Sequence, residues 1–439
     1  MSRHVFSRAP GRDLPVAAGG TGAEVFDVDG RRYLDGSGGA VVTAIGHGVG
    51  EVADAIAEQA RSLAYVHGSA FASSTLDAYA DELAPLLPFD DPRIYPVSGG
   101  SEAVETALKL ARAYHLARGE DRSVVIGRES SYHGNTRGAL DVGGRANLRA
   151  PYLPWLGHAQ HTTTPYEYRC PFPADHPNGC AARHAEELDR LITEIGPGEV
   201  AAFIGEPVAG AALGACVPPD EYWPAIVDVC RKHGVLVIAD EVMTGFGRTG
   251  RWFASEHWNV RPDILLAAKG AGSGYWPLGL MVCTAGVHDA VVRGGFTHGF
   301  TYSHHPVGAA AGRAVLRVLR ERELINASAE RGAELASALD KYLGGHPAVG
   351  DIRGIGLLRG VELVADRDSK DPFPRAERVV ERVVAAAKEE GLLVYSSTGC
   401  AKGSDGDLLL FGPPLVITPD QTVELAQRLA VAIGRVLGD

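Results

Sequence analysis

The sequence predicts an α/β fold: a large domain with a mostly parallel central sheet covered by helices, plus a smaller α+β domain. Two observations carry this. Short apolar runs that read as buried strands, SVVIG (123–127), VAAFIGEPV (200–208), GVLVIADEV (234–242), DILLAAKG (263–270) and GLMVCT (279–284), alternate with helical stretches. Such a pattern marks a parallel sheet with both faces covered. After about residue 309 the texture changes to long helical stretches, 309–343 and 376–390, flanking short strands such as LLRGVELV.

Taken in chain order, AEVFDVDGRRYLDGSGG (23–39) alternates around an Asp-Gly turn and reads as a hairpin that packs with the C-terminal unit. The pattern turns helical from Glu51. In PVSGGSEAVETALKLARAYHLARG, Val104, Leu108 and Ala111 share one face at helical spacing, and Gly119 stops the helix. PPDEYWPAIVDVCRKHG is a second helix, ending at Gly234. The expected organisation is a small-domain segment at 1–55, a large domain at 56–310 and the rest of the small domain at 311–439.

The chain has 439 residues and a formal net charge of −12, which argues against a general role on nucleic acid or anionic membranes. No apolar run is long enough to span a bilayer, and the first residues lack the apolar stretch of a signal peptide. Six scattered cysteines make no disulfide framework. A cytoplasmic protein is expected.

Ligands collect at the carboxyl ends of strands in open α/β sheets. Glu206 ends AAFIGE, Asp240 and Glu241 end VLVIADEV, and Lys269 ends ILLAAK, where it enters a glycine cluster. A single charge at a strand end is commonly a solvated loop residue; two acidic ends and one basic end together point to a site. Gly99, Gly100 and Ser101 open a helix, whose free N–H groups and serine hydroxyl suit phosphate. The same residues also serve as ordinary caps. Tyr132, His133 and Gly134 follow a strand-like run, and an aromatic there can stack on a flat ring or simply pack. A phosphate cup, a stacking plate, a buried acid and a strand-end lysine together match what pyridoxal phosphate requires.

The segments carrying these residues resemble the class III aminotransferases of the pyridoxal-phosphate fold type I superfamily. They are SGGSEAVETALKLAR (98–112), SYHG (131–134), EPVAG (206–210), IADEVMTGFGRTG (238–250), AAKGAGSGYWPLG (267–279) and FTYSHHPVGAAA (300–311). The resemblance implies that 56–310 binds the cofactor and that Lys269 forms its Schiff base and moves the proton. It implies Asp240 as partner of the pyridine nitrogen, and Tyr132 and Val242 on the two ring faces. It implies Gly100 and Ser101 as the phosphate cup, with His133 and Glu206 beside the cofactor and substrate. Thr301 matches a threonine that reaches the neighbouring subunit's phosphate, which implies a homodimer with shared sites. The implied reaction moves an amino group from an amine or amino acid to an oxo acid. Other carbanion chemistry on the same residues (racemisation, decarboxylation or C–C bond formation) and a non-catalytic binding protein are the alternatives.

Departures from the family pattern bear on the substrate. Gly403 stands where a carboxylate-binding arginine is common, with Lys402 beside it, and Glu206 then lacks a salt-bridge partner. Ala40 stands where many relatives carry a bulky aromatic, which suggests a wider pocket. Cys170, His176, Cys180 and His184 lie close in sequence, but their spacing matches no common zinc finger. They read as a surface excursion near the site entrance, and no metal is expected. His304 and His305 read as packing residues.

Overall fold

The computed structural model describes residues 4–9, 11, 13–172, 179–401 and 403–438. Among these, one large sheet has the spatial order Pro92–Val97, Gly279–Thr284, Ile264–Ala267, Leu236–Asp240, Val200–Gly205, Val124–Arg128, Gln160–Thr162. The last five strands pair in parallel. Gly279–Thr284 runs antiparallel to both its neighbours. Parallel pairing needs crossover connections, which the helices Gly100–Ala117, Gly179–Ile195 and Tyr222–His233 supply. Helix Tyr222–His233 ends at Gly234 in the left-handed conformation (φ 65°), as its sequence predicts. Strands Val200–Gly205 and Leu236–Asp240 are buried along their whole length, consistent with cover on both faces.

The two strands that the hydrophobic pattern does not mark are the sheet's two edges. Pro92–Val97 carries two prolines and Gln160–Thr162 is short and polar. Proline lacks a ladder donor and is confined to edges, and an edge strand needs no apolar run.

The N-terminal hairpin, Glu24–Asp27 with Arg32–Asp35, joins Ala17–Thr21 and the distant Leu392–Leu393 in one sheet. Val349–Ile355, Leu358–Leu363, Asp407–Phe411 and Tyr395–Thr398 make a third, antiparallel sheet. The helical stretch expected at 309–343 is two helices, Pro306–Glu321 and Leu324–Leu343. The chain turns at Glu323, which adopts φ 51° although neither glycine nor proline marks the break. Both Leu319 and Leu324, on either side of the turn, are buried, so tertiary packing overrides a continuous helical pattern.

This topology sets the site. Ile264–Ala267, Leu236–Asp240 and Val200–Gly205 are adjacent and parallel, so the residues beyond their carboxyl ends, Lys269, Asp240 and Glu206, come out side by side. The lysine loop is fastened to the N-terminal segment. Ser273 Oγ accepts from the buried backbone N–H groups of Ala44 (2.8 Å) and Ile45 (2.9 Å). Tyr275 Oη accepts from Val49 N–H (2.8 Å) and donates to the Gly46 carbonyl (2.9 Å).

Ser273→Ala is expected to leave two buried amides without an acceptor and to lower stability by about 2 kcal/mol. Urea unfolding measures this. A loss below about 0.5 kcal/mol would mean that the amides find other partners.

Candidate active site

A cavity of about 400 Å³ opens at these strand ends, and Gly100, Ser101, Tyr132, His133, Glu206, Asp240, Val242 and Lys269 all line it. Thr301 does not. It is exposed, and its carbonyl accepts from Tyr65 Oη (2.8 Å).

Lys269 follows the apolar strand Ile264–Ala267 and begins a short 3₁₀ turn with φ 38°. The glycines after it answer to close approach. A Cβ at Gly270 would lie 2.9 Å from Phe246 Cβ, and one at Gly272 would run into the Trp276 carbonyl. Removal from water pushes the Lys269 ammonium down to about 8, against the opposing pull of Asp240 and Glu206.

Asp240 is buried and held at both oxygens. Oδ2 pairs with His133 Nδ1 (2.7 Å), and Oδ1 accepts from Val242 N–H (3.0 Å). A carboxylate at Nδ1 makes that nitrogen the donor, and His133 Nε2 is left buried without a partner. Glu206 is also buried, and its oxygens accept from the backbone N–H groups of Tyr132 (3.1 Å) and Gly210 (2.9 Å). Burial raises its pKa above the ordinary carboxyl value. Tyr132 thus has its backbone fixed by Glu206 while its ring lines the cavity.

At the other wall, helix Gly100–Ala117 starts after Gly99 with no side-chain cap. Its first N–H groups have no intrahelical acceptor. A Cβ at Gly100 would lie 3.1 Å from Val242 Cγ1, so the backbone here is open only because the residue is glycine. Ser101 Oγ accepts from Asn135 N–H (3.1 Å). The donor set comprises an amine, a fixed carboxylate and an uncapped helix N-terminus. It fits an aldehyde cofactor with a ring nitrogen and an anionic tail.

Glu241, singled out beside Asp240 in the sequence, belongs to the framework. It is fully buried away from the cavity and accepts from Ala254 N–H (2.9 Å), Ser255 N–H (2.7 Å), Ser255 Oγ (2.6 Å) and Thr244 Oγ1. Val42, rather than Ala40, lines the cavity from the N-terminal segment; Ala40 is exposed. Gly403 lies at φ 60° in the turn joining Tyr395–Thr398 to Asp407–Phe411, away from the cavity lining. Lys402 and His176 lie outside the described residues. His304 packs edge-on against Tyr95 (4.6 Å between centroids), and His305 tilts against Trp276 (5.2 Å).

Two arginines were not anticipated. Arg128 is buried, donates to the Glu206 carbonyl (2.6 Å) and lies 5.6 Å from the Trp223 ring centroid. Its position after VVIG, a cation ending a buried strand, was the available signal. Arg145 is half-buried and donates to Ser397 Oγ (3.0 Å). It makes no ion pair among the described residues, while burial lowers its pKa and Tyr395, Glu206 and Tyr132 act on it electrostatically. Its loop, GGRANLR, gave no sign of this.

The model of the family described as aminotransferase class III matches residues 9–433. An uncharacterized aminotransferase of Bacillus subtilis, YodT, is 37% identical over 99% of this chain and 98% of its own. The solved structure of an (S)-enantioselective omega-transaminase from Thermomicrobium roseum superposes with a TM-score of 0.92 at 37% identity, covering 99% of this chain and 97% of that one. An amine transaminase from an uncultivated Pseudomonas species, solved in its PLP-bound form, gives 0.91 at 36% identity over 99% and 98%.

Only a neutral amine attacks an aldehyde, and a Lys269 pKa near 8 leaves roughly a tenth of it neutral at pH 7. Cofactor uptake by the stripped protein is expected to rise about tenfold per pH unit up to about 8 and then level off. Stopped-flow absorbance follows this. A rate still climbing above pH 10 would show an unshifted lysine.

Proposed function

This chain belongs to the class III aminotransferases and is a pyridoxal-phosphate-dependent transaminase, and from that premise we propose how its own residues run the reaction. The observation that carries the reading is the convergence of Lys269, the Asp240–His133 pair and the open start of helix Gly100–Ala117 in one cavity. Bound pyridoxal phosphate supplies an electron sink conjugated to the carbon that bears the amino group. Lys269 Nζ would hold the cofactor's aldehyde and, once released by the substrate amine, would be the base and acid that moves the proton at the substrate carbon. Asp240, fixed by His133 and Val242 N–H, would face the ring nitrogen and keep it protonated. Gly100 and Ser101 would hold the phosphate, and Tyr132 and Val242, which line the same cavity, would flank the ring. The names of the similar proteins favour transamination over racemisation, decarboxylation or C–C bond formation.

The assembly we propose is a homodimer, with residues 56–310 as the cofactor-binding body and 1–55 and 311–439 as the smaller domain. Thr301 lies outside its own chain's cavity, exposed beside Tyr65 and Tyr302. That placement suits a residue serving a neighbour's phosphate. The setting is taken as cytoplasmic; among the described residues no helix is long and apolar enough to cross a membrane.

The substrates are set by what the pocket lacks. Gly403 brings no guanidinium, and both Glu206 oxygens are committed to backbone amides. An α-carboxylate therefore meets no bidentate fork at that place. Preferred donors carry a terminal amine remote from any carboxylate, or bulk in its stead. Arg145, which makes no ion pair among the described residues and interacts electrostatically with Glu206 and Tyr132, is our candidate for the cation that meets the acid group of an oxo acid.

Glutamate and alanine are expected to be weaker donors than terminal amines in kcat/KM by roughly tenfold to a hundredfold, the loss of one charge-assisted pair. Arg145→Ala should raise KM for the oxo-acid acceptor and leave uncharged amine donors unaffected. Glutamate as best donor, with Arg145→Ala neutral, overturns this substrate reading.

A further inference from the structure

We propose that Cys170, Cys180 and His184 form a binding site for a thiophilic divalent metal ion, zinc by its ligand chemistry. The spacing in the sequence gave no reason to expect a metal. The fold nevertheless brings one ligand atom from each residue to within 4.8 Å of the others. The two sulfurs are 3.1 Å apart. Tetrahedral zinc, with bonds of about 2.3 Å to sulfur and about 2.0 Å to nitrogen, sets its ligand atoms roughly 3.5–3.8 Å apart. Small side-chain rotations cover the difference.

The histidine is the second, independent observation. His184 is 1% exposed. Its Nδ1 lies 2.9 Å from Thr163 Oγ1, and that hydroxyl donates onward to Glu187 Oε2. The hydroxyl proton is thus spent on the carboxylate, so Nδ1 must be the donor to Thr163. The lone pair is left on Nε2, which is buried with no partner. A Glu–Thr–His chain of this kind fixes tautomer and orientation in the way outer-shell partners do at metal sites.

The thiols border a surface depression of about 600 Å³, shared with Glu167 and Lys370. It provides an entry path and room for water as fourth ligand. Because thiolates are the ligands, one divalent ion taking up two thiols would release two protons to solvent. The result would clamp the excursion after edge strand Gln160–Thr162 onto helix Gly179–Ile195, apart from the catalytic cavity.

The test uses the full-length holoenzyme loaded with zinc sulfate, freed of excess by gel filtration and assayed by elemental mass spectrometry. About one zinc per chain is expected, falling to less than a tenth in Cys170→Ser, Cys180→Ser and His184→Gln. Cobalt loading of the wild type should give thiolate-to-cobalt charge-transfer and tetrahedral d–d bands, and two protons should be released per ion in weakly buffered titration. These wild-type readings decide the matter if a variant fails to fold. Sub-stoichiometric zinc without cobalt bands, or zinc content unchanged in the variants, overturns the proposal. So does a chain lighter by two hydrogens with a Cys170–Cys180 disulfide peptide.

Discussion

Lys269 stands half-buried at the end of a fully apolar strand, and the cost of taking its ammonium out of water shapes the surrounding structure. Dehydration alone would leave a neutral amine with no fixed direction. The neighbouring carboxylates of Asp240 and Glu206 oppose the shift, and the balance rests near 8. That balance requires the two acids at short range yet engaged elsewhere. Asp240 is held by His133 and Val242 N–H, and Glu206 by two backbone amides. Neither makes an ion pair with the lysine among the described residues, which leaves the amine available as a nucleophile.

Holding three charged groups at one place depends on strand order. Adjacent parallel strands deliver them in register, and the glycines beyond Lys269 let the backbone pass Phe246 and the Trp276 carbonyl. Ser273 and Tyr275 in the same loop fasten the N-terminal segment to the lysine's own turn. The substrate end is built differently. Gly403 brings no side chain to the cavity, and Arg145 is tied by its hydrogen bond to Ser397 to the strand that leads into the same turn.

Much of this was legible in the sequence because buried strands and strand-end charges leave local marks. The five apolar runs are strands, and eight of the nine expected site residues share one cavity. What escaped had no local mark. Edge strands carry proline or polar residues, so Pro92–Val97 and Gln160–Thr162 show no apolar run. The turn at Glu323 is imposed by packing on both sides. Glu241 looked like its neighbour Asp240, but successive strand-end residues point in opposite directions, and its four donors come from residues 244–255. Arg145 depends on a contact with a distant strand, and Cys170, Cys180 and His184, close in sequence, are brought together as ligand atoms only by the fold.

The central claim is that a single lysine, placed by the strand Ile264–Ala267, carries the cofactor. The direct measurement is borohydride reduction of the reconstituted protein followed by peptide mapping. The account predicts one phosphopyridoxyl adduct per chain, on Lys269, and its absence in Lys269→Ala. An adduct on another lysine in the wild-type protein, or no adduct at all, would contradict it.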